Sequence, residues 1–146
     1  MPKTIAGHLE HVEHTTSKVT VRTHTLFADR SAENDGLDRG PSGGEYLLVS
    51  LVGCFTSHLL AAIRARQAPL TNVRVDVTGT LDGTPQRFVA FSLDVNADCP
   101  DPELVRKLVT VASRGCQVMN TLRPVAPVRL SVAGTPVDTE AEVALA

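Results

Sequence analysis

From Tyr46 to Ile63 the chain is apolar at positions 47, 48, 51, 52, 55, 59, 60 and 63, a pattern that wraps most of the circumference of a helix. Such a helix is stable only when protein covers it on nearly every side, so it is expected to be the central element of the core. Ser50, Gly53, Thr56, Ser57 and His58 interrupt the run and Arg64 and Arg66 close it, which argues against a membrane span. The approach to it, ENDGLDRGPSGG, carries Gly36, Gly40, Pro41, Gly43 and Gly44 and reads as a loop.

The chain has 146 residues, 42% of them hydrophobic, which makes one domain over 1–146 with enough apolar surface for a real core. A net charge of -2, without a basic run or an aromatic-rich strand, gives no footprint for nucleic acid. The start, MPKTIAGHLEH, lacks the pattern of a secretory signal, so a cytoplasmic location is expected, with no membrane partner. In that compartment three cysteines, Cys54, Cys99 and Cys116, are normally reduced, and a working disulfide there is usually transient and catalytic or redox-sensing.

The rest of the pattern is strands and one more long helix. Val73, Val75, Val77 and Leu81 alternate with polar residues; after Asp82-Gly83-Thr84-Pro85 the alternation resumes at Val89, Phe91, Leu93 and Val95, which predicts a hairpin. Ser17 to Phe27 and Pro127 to Val132 alternate in the same way, and Thr4 to Val12 is a weaker strand that pairs across Glu13 to Thr16. DPELVRKLVTVASR predicts a helix with Asp101 as N-cap and Pro102 in its first position, broken by Gly115 beside Cys116. A short acidic tail, about 134–146, is expected to be mobile. The order is ββαββααβ, an α+β fold in which an antiparallel sheet packs around a buried central helix.

Two segments, GPSGGEYLLVSLVGCFTSHLL and CQVMNTL, together resemble the OsmC/Ohr superfamily of thiol-dependent hydroperoxide reductases. The resemblance implies an intertwined α+β homodimer with a site at the subunit interface. It implies that Cys54 attacks an organic hydroperoxide, that Cys116 resolves the sulfenic acid to a disulfide, and that an external dithiol resets the pair, as part of oxidative-stress defence. No metal or organic cofactor is implied. Apolar burial would keep Cys54 protonated, and the sulfur sits too far into its helix for the dipole to help, so a nearby cation is needed.

In the Ohr branch an arginine near an N-terminal turn supplies that charge, held by a glutamate ten positions before the cysteine. Here the turn His14-Thr15-Thr16-Ser17-Lys18 has no arginine, and position 44 is glycine; Glu45, nine before Cys54, is closer to the OsmC-like branch. Of Arg22, Arg30 and Arg39, the resemblance favours Arg22, with Asp29 in RTHTLFAD. Cys54 or Cys116 alone would more often be a core residue than a catalytic one, and the pairing within the family pattern favours redox chemistry. His58, one turn after Cys54, is a base, a metal ligand or a satisfied core histidine, the last being commonest. Cys99 lacks a motif, and His8, His11 and His14 alternate faces and point to solvent. Two functional classes remain: a peroxidase, and a non-catalytic protein that holds a lipophilic small molecule at the dimer interface or senses redox state.

Overall fold

The computed structural model describes residues 1–137. The elements are β1 (His8–Glu13), β2 (Thr16–Val21), β3 (His24–Ala28), a 3-10 turn (Ala32–Asn34), α1 (Gly43–Ala65), β4 (Thr71–Asp82), β5 (Arg87–Asp98), α2 (Pro102–Gly115), α3 (Gln117–Leu122), β6 (Val128–Val132) and β7 (Thr135–Val137). They fall into two compact units, Met1–Leu47 and the chain from Leu48 onward, with the boundary inside α1.

The first unit is an antiparallel meander, β1-β2-β3. Glu13 pairs with Thr16 across a two-residue turn, and Val21 with His24 across another; His14 (φ 46°) and Arg22 (φ 54°) take the left-handed conformation that closes each. Behind the sheet one carboxylate organises the connection. Asp29 Oδ1 accepts from Thr15 Oγ1 at 2.5 Å and Arg30 N at 2.7 Å, while Oδ2 accepts from Thr16 Oγ1 at 2.6 Å and Arg39 N at 3.2 Å. Burial alone would raise the pKa of Asp29, but these four donors outweigh it and hold the carboxyl well below the usual range. Arg39 also pairs with Glu13. The sheet keeps Leu9, Val12, Leu26 and Phe27 exposed.

The second unit holds the mixed sheet β4-β5-β6-β7. β4 and β5 form a long antiparallel hairpin, β6 runs parallel to β5, and β7 returns antiparallel along β6. The core is the inner face of β5 (Phe91, Leu93, Val95), the buried face of α2 (Val105, Leu108, Val109, Ala112), Met119, Leu122, Val128 and Leu130, and a stripe of α1 (Leu51, Phe55, Leu59, Ala62). Each large side chain in it gains about 1.5–3 kcal/mol over its exposed state. Gly79 lets β4 come close to α1, since a Cβ there would lie 2.8 Å from both Leu48 Cδ2 and Phe88 Cε1. Asp94 on β5 accepts from Ser131 Oγ at 2.6 Å and Gly134 N at 2.9 Å, which ties the β6–β7 turn to the sheet.

The α+β class, the β4–β5 hairpin and α2 with its Asp101 cap agree with the sequence, and the Asp101 side chain accepts from Glu103 N at 3.0 Å. Four expectations need correction. Ser17 to Phe27 is two strands, because Arg22 adopts a left-handed turn that no glycine or proline announces. The order therefore gains β3, and it gains β7, which occupies the start of the expected mobile tail; the remainder, 138–146, lies outside the described residues. The second sheet is mixed, because the α2–α3 connection returns β6 parallel to β5. Finally, α1 buries one stripe only, and Val49 and Leu60 stay 52% and 40% exposed. By length and composition α1 is also apolar enough to cross a membrane.

Candidate functional site

The helix that carries Cys54 is started by a capping box. Ser42 Oγ accepts from Glu45 N at 3.2 Å while Glu45 Oε1 accepts from Ser42 N at 3.0 Å, so two otherwise unpaired amides at the helix end are satisfied reciprocally. The Ser42 amide, then its hydroxyl, holds the Glu45 carboxyl below its ordinary pKa. Glu45 thus has a structural task at the helix start. Arg30, Ser31, Asn34, Ser42 and Glu45 line a small cavity of about 260 Å³ within the first unit. Arg22 is exposed at the tip of the β2–β3 turn.

Cys54 comes eleven residues after Gly43, about three turns into α1, where the dipole has faded. Its thiol donates to Gln117 Oε1 at 3.3 Å, and the same oxygen lies 3.5 Å from His58 Nε2. His58 follows Cys54 by one helical turn, so both side chains leave α1 on the same face. Its ring lies against Gly115, where a Cβ would come within 3.0 Å of Nδ1. Gly115 is therefore a clearance for the imidazole as well as the end of α2.

Cys116 is the joint between two helices. With φ -74° and ψ 109° it leaves α2 and caps α3, its sulfur accepting from Met119 N at 3.4 Å. The side chain is fully buried. Burial foremost, together with the hydrogen bond and charge of the neighbouring Cys54 thiol, pushes Cys116 up to about 11, against the pull of the Met119 and Val118 amides. Both cysteines are free. The second unit thus brings together Cys54, Cys116, His58, Gly115 and Gln117.

Gln117 was not a candidate from the sequence. The available signal was its place as the first α3 residue, directly after Cys116. Cys99 lies apart in the loop before α2, its thiol donating to Asp101 O at 3.3 Å. Among the described residues no group of three or more His, Cys, Asp or Glu side chains is placed to hold a metal.

A thiol at about 11 is ionised in roughly one molecule in ten thousand at neutral pH. Iodoacetamide is therefore expected to modify half-buried Cys54 and Cys99 well before Cys116 in the folded protein, with the Cys116 rate climbing about tenfold per pH unit toward that value. Mass spectrometry of timed digests measures this. Equal labelling of all three at pH 7 would contradict the buried, proton-retaining role of Cys116.

Compared with known proteins, residues 34–131 match the family model for OsmC-like proteins. No curated protein matches the chain. Among solved structures, an OsmC-like protein from Mycoplasma pneumoniae is similar at a TM-score of 0.76, with 18% identity over 90% of this chain and 99% of that one. A Legionella pneumophila organic hydroperoxide resistance protein OsmC is similar at 0.71, with 19% identity over 89% and 96%. An organic hydroperoxide resistance protein from Elizabethkingia anophelis is similar at 0.72, with 16% identity over 90% and 96%. At these identities the likeness is one of fold.

Proposed function

The chain belongs to the OsmC-like protein family, and from that premise we propose that it is a thiol peroxidase that reduces organic hydroperoxides through Cys54 and Cys116. The observation that carries the reading is the pairing in one unit of a half-buried cysteine on α1 with a buried, proton-retaining cysteine at the α2–α3 joint. Relatives of the same fold named organic hydroperoxide resistance proteins support it.

The chemistry divides between the two sulfurs. The Cys54 thiolate attacks the terminal peroxide oxygen, the O–O bond breaks, and the alkoxide leaves and takes a proton to become the alcohol. Cys54 is then a sulfenic acid. Cys116, once deprotonated, attacks that sulfur; the S–S bond forms and hydroxide leaves as water. An external dithiol returns both to thiols. Because Cys116 holds its proton, it does not compete for the peroxide and waits for the sulfenic acid. Gln117 Oε1 orients the Cys54 thiol in the resting state.

The proposal keeps Arg22 as the cation that activates Cys54 and Glu45 as the carboxylate that supports it, with Arg30, which shares a cavity with Glu45, as the second candidate. Arg22→Gln and Arg30→Gln separate them by which one slows Cys54 oxidation. We further propose that the chain acts as a homodimer in the cytoplasm. The exposed Val49 and Leu60 of α1 and the exposed Leu9, Val12, Leu26 and Phe27 of the meander are apolar surface that a second copy would cover.

Treatment with one equivalent of cumene hydroperoxide, followed by thiol blocking and peptide mapping, is expected to recover Cys54 joined to Cys116 within one chain, with Cys99 free. Recovery of Cys54 and Cys116 as free thiols, or of Cys99 as the main partner, would sink the assignment. A protein that stays reduced yet binds the intact hydroperoxide or its alcohol would turn the reading toward a carrier of lipophilic molecules.

A further inference from the structure

A second cavity lies along the outward face of α2, and nothing in the thiol chemistry uses it. It is a cleft of about 680 Å³, lined on the polar side by Arg66, Arg106, Lys107 and Arg114 and on the apolar side by Leu104 and Val111. The α2 members recur every three to four residues, so they form one continuous face of the helix. Among the described residues that line it, four cations meet one carboxylate, Glu103, in a chain whose 14 basic residues are outnumbered by 16 acidic ones.

That carboxylate does not neutralise the cleft. Glu103 stands 3.9 Å from Arg106, whose guanidinium also donates to Pro136 O at 2.9 Å, so Arg106 is anchored at the rim. Arg66 and Lys107 are exposed, and no described carboxylate forms an ion pair with either. Val111, 38% exposed, sits one turn from Lys107 and offers an apolar floor beside the charge. The volume is within the range of about 300–1,000 Å³ that small-molecule sites occupy.

We propose that this cleft is a binding site for an anionic amphiphile of the fatty-acid type, its carboxylate held by Arg66 and Lys107 and its alkyl chain laid over Leu104 and Val111. A bare inorganic anion leaves the apolar floor wet, and a neutral alcohol leaves the cations unmatched; a carboxylate with an alkyl chain satisfies both halves. The site needs neither cysteine and stands whether or not the chain is a peroxidase.

Calorimetric titration of the whole protein with sodium dodecanoate, below its micelle concentration, tests the assignment. One site per chain is expected, with dodecanol, dodecyltrimethylammonium and inorganic phosphate each weaker by about tenfold or more, a difference of ~1.4 kcal/mol. The double variant Arg66→Glu, Lys107→Glu alters two exposed side chains and should weaken dodecanoate by at least about tenfold while hydroperoxide turnover is kept. Absence of binding, equal binding of the cationic or uncharged chain, or phosphate binding as tight as dodecanoate would overturn the proposal. So would a double variant that binds as before, or one that loses turnover together with binding, since the thiol site would then be the true receptor. If wild-type protein binds dodecanoate but consumes no hydroperoxide, the peroxidase reading fails and this one stands.

Discussion

Replacing Cys54 with serine is expected to reduce consumption of cumene and fatty-acid hydroperoxides to the level seen without protein, because the hydroxyl cannot take up the peroxide oxygen as a sulfenic acid does. Cys116→Ser should behave differently. Its Cys54 still attacks once, so one equivalent of peroxide disappears in a burst, and turnover then stops because the sulfenic acid has no neighbour to condense with. Further peroxide should carry Cys54 to the sulfinic acid, visible as a gain of two oxygens in the mass of the α1 peptide. Cys99→Ser should leave turnover unchanged, as Cys99 lies in the loop before α2 with its thiol on Asp101 O. Equal loss in the Cys54 and Cys116 variants would deny the division of roles. So would a Cys54 variant that still turns over.

The second large effect concerns assembly. Gly53, Ser57 and Ala61 recur every four residues on the exposed side of α1, beside Val49 and Leu60, and a Cβ at Gly53 meets nothing within 4 Å. Small side chains in such a row let two helices approach closely. Within one chain, Gly53→Leu should be favourable by about 0.8 kcal/mol, since glycine is a poor helix residue and the space is open. In a dimer whose helices meet along this row, the same substitution inserts a bulky side chain where no room is left. The two cases differ in sign. A homodimer predicts that Gly53→Leu lowers the melting temperature and yields monomer by sedimentation equilibrium. A monomer with unchanged or raised stability would remove the dimer from the proposal.

What the sequence made legible follows from how local the signals are. The β4–β5 hairpin and α2 are each announced by residues on the spot: an alternation broken by Asp82-Gly83, and Asp101-Pro102 before an amphipathic run. β3 was hidden because Arg22 takes a left-handed turn, a conformation its side chain does not advertise. β7 was hidden because its three residues are a strand only through pairing with β6. The two cysteines could be paired from the family pattern, whereas Gln117 could not, since its contact with Cys54 spans 63 positions and depends on how α3 leaves Cys116. The capping box was legible in the serine three positions before Glu45, and it leaves the catalytic part proposed for Glu45 to experiment.

Cys116 holds two posts with a single atom. Its sulfur accepts the Met119 amide and so begins α3, and it is also the sulfur that would join Cys54. Closing the proposed disulfide would draw the Cys116 sulfur toward Cys54 and so shift the acceptor used by the Met119 amide, in the first turn of a helix only six residues long. The oxidation state of the protein would thereby be written into its backbone. The external reductant of the proposed cycle would then have a shape to read as well as a bond to break.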